Sequence, residues 1–182
     1  MRHLEALAAS LPDHCKDLRL NLLSLLASES LPRNVSWSIA LSSATFIGRA
    51  PAFVDATLAD AREVLTPAEV ADAQAAAALM GMTTVYYRTR HLIGKPSYSD
   101  RRAGLRMNYM TRPQAGKILF EQCALACSAI AGCEYCIKAH EKTLLDQGIT
   151  EDQVHEIFRL ASVISGFAVA VEVARNSVVP ES

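Results

Sequence analysis

Apolar residues recur at three- and four-residue intervals along most of this chain, and the runs break at proline, threonine and glycine. Between Asp13 and Leu26 they fall at Cys15, Leu18, Leu22, Leu25 and Leu26, a helical spacing for which Asp13 can serve as N-cap. Pro32 opens a second helix running to about Phe46 and closed near Gly48, and Pro51 takes the first-turn position of a third, Pro51 to Val64. Thr66-Pro67-Ala68-Glu69 is a capping box that opens a fourth helix through the alanine run to about Arg90. Gly94 to Arg112 has weak periodicity and reads as a connecting loop with room for one short helix. After Pro113 a helix covers Ala115 to Ala131; Gly132 interrupts it, and Cys133 starts another that ends near Gly148. Thr150-Glu151-Asp152-Gln153 is a second capping box, opening a last helix to about Asn176. No stretch alternates with period two long enough to be a strand, so the expected fold is all-α.

The order helix, glycine, helix, threonine cap, long helix occurs twice, over about 32–92 and 115–176. A shift of 84 positions lays Ala40-Leu41 on Ala124-Leu125, Gly48 on Gly132, Leu65-Thr66 on Ile149-Thr150 and Val70 on Val154. We read one helical domain, 1–182, built from a duplicated unit. The contrast between the halves is informative. Cys133, Cys136 and His140 fall on Arg49, Ala52 and Ala56, and Glu121 falls on Trp37. On this reading the second half carries chemistry that the first lacks.

Composition narrows the function. The 182 residues carry a net charge of −1, which leaves no basic footprint for nucleic acid. Apolar residues make up 51% but aromatics only 6%, a core of small side chains suited to closely packed helices. The longest apolar stretch, Leu160 to Val171, is 12 residues, against about 20 for a membrane span; it reads as a buried core helix. The N-terminus carries Glu5 early and no sustained apolar run, so a secretory signal is not expected. The five cysteines are an odd count, and the expected compartment is the cytoplasm, where thiols stay reduced. There a close cysteine pair points to catalysis or metal binding.

Such a pair lies in Cys133-Glu134-Tyr135-Cys136-Ile137-Lys138-Ala139-His140. Positions i, i+3 and i+7 share one helix face, so both sulfurs and the imidazole point the same way. Two cysteines one turn apart can close a disulfide. Cys133 follows the Gly132 break, where free amides and the helix dipole favour a thiolate. His140 is one turn beyond Cys136, in place to move a proton. The reading is a redox-active dithiol. Zinc, with Cys123 or Cys127 as fourth ligand, and an inert buried pair are the alternatives. Ile137, where c-type haem attachment needs a histidine, excludes that cofactor. Glu121 sits on a hydrophobic helix and reaches His140 only if the chain folds back at Gly132. Arg101, Arg102 and Arg106 read as surface ion pairs, and His3, His14, His91 and His155 as surface or satisfied histidines.

Several separated motifs occur together in order: Leu11-Pro12-Asp13 with Lys16-Asp17 and Leu20-Asn21-Leu22, then Met80-Gly81-Met82 with Tyr87-Arg88, Gly104-Leu105-Arg106-Met107-Asn108, and Gly132-Cys133 through His140-Glu141. In these the chain resembles, nearly end to end, the alkyl hydroperoxide reductase D proteins of the carboxymuconolactone-decarboxylase-like superfamily. The resemblance implies an all-helical bundle of duplicated units that assembles as a homotrimer, with no bound cofactor. It implies a peroxidase or disulfide reductase acting on alkyl hydroperoxides. Electrons would come from the dihydrolipoyl group of a 2-oxoacid dehydrogenase component and would also pass to a partner peroxiredoxin. Cys136 would attack the peroxide, Cys133 would resolve the intermediate, and Glu121 with His140 would relay protons. The helix-start electrostatics favour Cys133 as the more acidic thiol, so the two lines of reasoning differ on which sulfur attacks first. A decarboxylase acting on a cyclic lactone is a further alternative within the superfamily. One departure stands out. Where such proteins often have a histidine before the second cysteine, this chain has Tyr135, a relay candidate whose phenol, with pKa about 10, is a poor base at neutral pH. Disulfide exchange is therefore expected to be at least as effective as direct peroxide reduction.

Overall fold

Helix boundaries follow the caps and breakers closely. The computed structural model describes residues 1–177, and residues 178–182 of the expected domain lie outside it. In chain order the helices are α1 Arg2–Ala9, α2 Lys16–Ala27, α3 Arg33–Ile47, α4 Pro51–Ala61, α5 Pro67–Ile93, the short α6 Pro96–Ser99 and α7 Asn108–Thr111, α8 Lys117–Ala131, α9 Glu134–Asp146 and α10 Glu151–Ser177. No strand occurs among the described residues. Both capping boxes form. Thr66 Oγ1 accepts from the Glu69 amide at 3.3 Å while Glu69 Oε2 accepts from the Thr66 amide at 2.8 Å. Thr150 and Gln153 make the same reciprocal pair at 3.2 and 3.0 Å.

α3 and α8 form the centre. α3 packs on α5, α8 and α10, and α8 on α5, α9 and α10. Each central helix is buried all round over ten consecutive residues, Val35–Ala44 and Leu119–Ser128, as a helix surrounded by others must be. Serine and alanine at many of these positions let the neighbours approach closely. α10 is long and apolar enough to cross a membrane by length and composition. Here Val154, Ile157, Leu160, Ala161, Ile164, Phe167 and Ala168 are buried in the bundle, the role expected of the Leu160–Val171 stretch. α2 lies against α10, where a Cβ at Gly166 would come within 2.8 Å of Leu18 Cδ2, so a larger residue there would require the Leu18 side chain to move. The pattern of elements in 32–92 recurs in 115–176. α3 and α8 are each 15 residues long and end at left-handed Gly48 and Gly132, and the threonine-capped α5 and α10 are each 27.

The differences from expectation lie where distant groups decide. α1 has no local start signal. Its first amides, those of His3 and Leu4, donate to the buried Asp60 carboxylate at 3.1 and 2.8 Å, a cap supplied from α4. Asp13 does not cap α2. It begins a 3₁₀ turn, Asp13–Cys15, and α2 starts after it. The 94–112 connection holds two helical turns rather than one. Its exit is tied by buried Asp72, which accepts from Tyr109 Oη and from the amides of Gln114 and Ala115 at 2.7, 2.9 and 2.7 Å. That anchor sets where α8 begins, and so where Glu121 stands.

Candidate active site

The site is assembled at the junction of α8 and α9. α8 stops in a glycine motif: Gly132 takes φ 63°, its amide donates to Ala129 O at 3.0 Å, and the Cys133 amide reaches back to Ser128 O at 3.1 Å. The chain reverses there, and Cys133 becomes the N-cap of α9. Its Sγ accepts from the Cys136 amide at 3.3 Å. Cys133 and Cys136 are joined by a disulfide, with Cα atoms 5.3 Å apart. Both residues are buried.

Because α9 folds back along α8, the twelve-residue gap between Glu121 and Cys133 closes in space. His140 Nδ1 lies 2.6 Å from Glu121 Oε2, and each side chain is only about a tenth exposed. A carboxylate in that position accepts from Nδ1–H. The other ring nitrogen, Nε2, is then the one that gains or loses a proton. The fold-back on which Glu121's approach depended therefore occurs. The structure brings together Glu121, Cys133, Cys136 and His140.

Tyr135 stands apart from that group. It is 45% exposed, and its ring stacks on Tyr87 of α5, centroids 5.4 Å apart and planes 16° from parallel. Tyr87 in turn lies under the Arg90 guanidinium at 5.2 Å. Two neighbours from α5 escape sequence reasoning. Arg88 Nη1 donates to the carbonyl of Ala131, the last residue of α8. His91, read from the sequence as a surface or satisfied histidine, faces Glu134 with Nε2 3.5 Å from Oε2. The only advance signal was Tyr87-Arg88 as a motif, without its target.

The remaining cysteines are held away from this chemistry. Cys15, Cys123 and Cys127 are free and buried. Burial pushes the Cys123 thiol up to about 12 and Cys127 well above its usual value, and Cys127 Sγ points to Ser42 O at 3.7 Å. The zinc alternative took Cys133, Cys136 and His140 as ligands, with Cys123 or Cys127 able to supply a fourth. Among the described residues no group of three or more His, Cys, Asp or Glu is placed to hold a metal ion. With the fold intact, iodoacetamide at pH 8 is expected to leave Cys123 and Cys127 unmodified and to label both in urea, as read by peptide mass spectrometry. The expected ion pairs of Arg101, Arg102 and Arg106 do not form among the described residues. Arg101 instead lies over the Tyr98 ring and donates to Ser97 O, which gives its guanidinium partners in the short helix α6 just before it.

Comparison with known proteins agrees with this geometry. Residues 96–176, which span the site, match the model of the carboxymuconolactone decarboxylase family. The whole chain is 44% identical to "Alkyl hydroperoxide reductase AhpD" of Anaeromyxobacter dehalogenans strain 2CP-C, covering 97% of that protein. It is 40% identical over 169 residues to the protein of the same name from Rhodospirillum centenum, covering 93% of this chain and 90% of that one. Against the Streptomyces avermitilis protein the identity is 39% over 169 residues, 93% of this chain and 95% of the other.

Proposed function

We propose, because this chain belongs to the carboxymuconolactone decarboxylase family and within it to the alkyl hydroperoxide reductase AhpD proteins, that its Cys133–Cys136 pair is the working centre of an antioxidant oxidoreductase. The observation that carries this reading is the cysteine pair at the start of α9, one helical turn before a histidine bonded to a buried carboxylate.

In the dithiol form His140 takes the proton of the Cys136 thiol. The thiolate attacks the terminal oxygen of an alkyl hydroperoxide, the O–O bond breaks, and the alcohol leaves with a proton returned through His140. Cys136 is then a sulfenic acid. The Cys133 thiol gives up its proton and attacks that sulfur, the S–O bond breaks, the proton goes to the departing hydroxide so that water leaves, and the disulfide forms. Recharging runs by exchange. A donor thiolate attacks Cys133, the mixed disulfide is resolved by the donor's second thiol, and the dithiol returns. Glu121 orients His140 and offsets its charge while it holds the proton. Tyr135, stacked outside this group, contributes no base, which favours the exchange half-reactions over direct peroxide reduction.

A dihydrolipoyl group on a 2-oxoacid dehydrogenase component suits the recharging step, since its two thiols can capture and resolve one disulfide without a bound cofactor. A peroxiredoxin disulfide can replace the peroxide as oxidant. The cytoplasm is the compartment that keeps such donors reduced. Homotrimeric assembly is supported by the apolar residues left exposed on α5 and α6, Val85, Leu92, Ile93 and Tyr98. The matched element order of the two halves supports descent from a duplicated unit. The decarboxylase alternative has no use for the paired cysteines.

The test is a thiol count by mass spectrometry on the reduced protein before and after one equivalent of an alkyl hydroperoxide. The expected result is a new Cys133–Cys136 bond that dihydrolipoamide reverses. Failure of that bond to form would sink the reading, and so would activity undiminished in Cys133→Ser.

A further inference from the structure

Three residues from less than two turns of α5 hold the redox turn from one side. Arg88 donates to the Ala131 carbonyl, Tyr87 stacks on Tyr135, and His91 faces Glu134. Their targets flank Gly132 and Cys133. The centre of the turn, Gly132, adds no packing of its own to fix it. Gly132 is exposed, and a Cβ built on it would meet no heavy atom within 4 Å. Its direction depends on hydrogen bonds. The glycine motif uses the carbonyls of Ser128 and Ala129 but leaves that of Ala131, the end of the helix dipole, without a helical partner. The half-buried Arg88 supplies a charged donor there, the stronger kind of hydrogen bond.

We propose that Arg88 is a positioning residue for the redox pair: by anchoring the carbonyl at the end of α8 it aims Cys133 at Cys136 and raises the effective concentration of one thiol at the other. This rests on the redox reading of the pair. It predicts that Arg88 favours the disulfide. Without it, the Gly132 turn samples directions in which Cys133 is further from Cys136, and closure of the bond is less favourable. Exchange with a dithiol conserves electrons in either case. Cys133–Cys136 gains two electrons and two protons as the donor loses them, so only the equilibrium constant moves.

The test uses the full-length chain equilibrated with mixtures of reduced and oxidised dithiothreitol, with the fraction of Cys133–Cys136 read by alkylation and mass spectrometry. Arg88→Met is expected to shift the equilibrium about tenfold toward the dithiol, or about 30 mV for a two-electron couple. Arg88→Lys, which keeps a charged donor, is expected to recover most of that shift. A general loss of stability would lower the unfolding temperature of both variants alike and give no such rescue. That pattern, or an R88M constant within twofold of the wild type, overturns the assignment. If R88M does not fold, Arg88→Gln is read by the same criterion. A wild-type pair that does not cycle at all overturns the redox reading itself, whereas a cycling wild type beside an unchanged variant overturns only the role of Arg88.

Discussion

Hydroperoxide turnover is expected to fall by at least ~10³-fold in Cys136→Ser, the scale of loss when an enzyme's nucleophile is removed. A serine hydroxyl is not ionised by a neighbouring imidazole alone, and it cannot form the sulfenic acid on which closure depends. Steady-state turnover falls equally in Cys133→Ser, because no disulfide closes. The two variants part in a single turnover. Cys133→Ser still converts one equivalent of peroxide and leaves a sulfenic acid on Cys136 that a dimedone probe traps; Cys136→Ser traps none. The reverse pattern would make Cys133 the attacking sulfur. The geometry supplies a reason to take that outcome seriously. Cys133 is the N-cap of α9, where the first amides of the helix face it, whereas Cys136 is the cysteine one turn from His140. The trapped residue decides whether helix electrostatics or proximity to the base governs the order.

The second large effect concerns the Glu121–His140 pair. His140→Ala is expected to slow turnover by about 10² to 10⁴, the usual contribution of a positioned acid–base group. It also leaves the Glu121 carboxylate nine-tenths buried with its partner gone, which costs about 3 kcal/mol or more of folding stability. Glu121→Gln keeps an oxygen for Nδ1–H but removes the charge. It is expected to lose activity on the lower end of that range with a smaller loss of stability. Urea unfolding and hydroperoxide kinetics on the two single variants and on the Glu121→Gln/His140→Ala double variant check this together. The double variant should be more stable than the sum of the single losses predicts, since no buried charge is left without a partner. Additive losses would mean that the 2.6 Å contact carries little of the site's energy.

How much of this was legible depends on how local the cause is. Thr66, Thr150 and Gly132 act within a turn of themselves, so the helices they start and stop follow from the sequence. Cys133, Cys136 and His140 lie within eight consecutive residues, and their meeting is a matter of spacing at one helix start, although Cys133 caps α9 rather than lying within it. Glu121 was visible only conditionally, because its meeting with His140 depends on the left-handed turn between α8 and α9. α1 and the true start of α2 were not legible. The groups that cap α1 sit 56 and 57 residues away on Asp60, and no local pattern announces them. The same holds for Arg88, whose acceptor is 43 residues distant, and for the arginines of the 94–112 connection. Of these, Arg101 meets a ring and a carbonyl in place of the expected acid.

One sulfur in this protein belongs to two structures at once. Cys133 Sγ is a partner in the disulfide and also the acceptor that starts α9. Each cycle of oxidation and reduction therefore changes the charge and hardness of the atom on which a helix begins, and the amide of Cys136 registers it. The protein carries a built-in label for its own redox state. The amide proton of Cys136 should exchange with solvent and resonate differently in the two forms, while amides in the middle of α8, walled in on every side, should not.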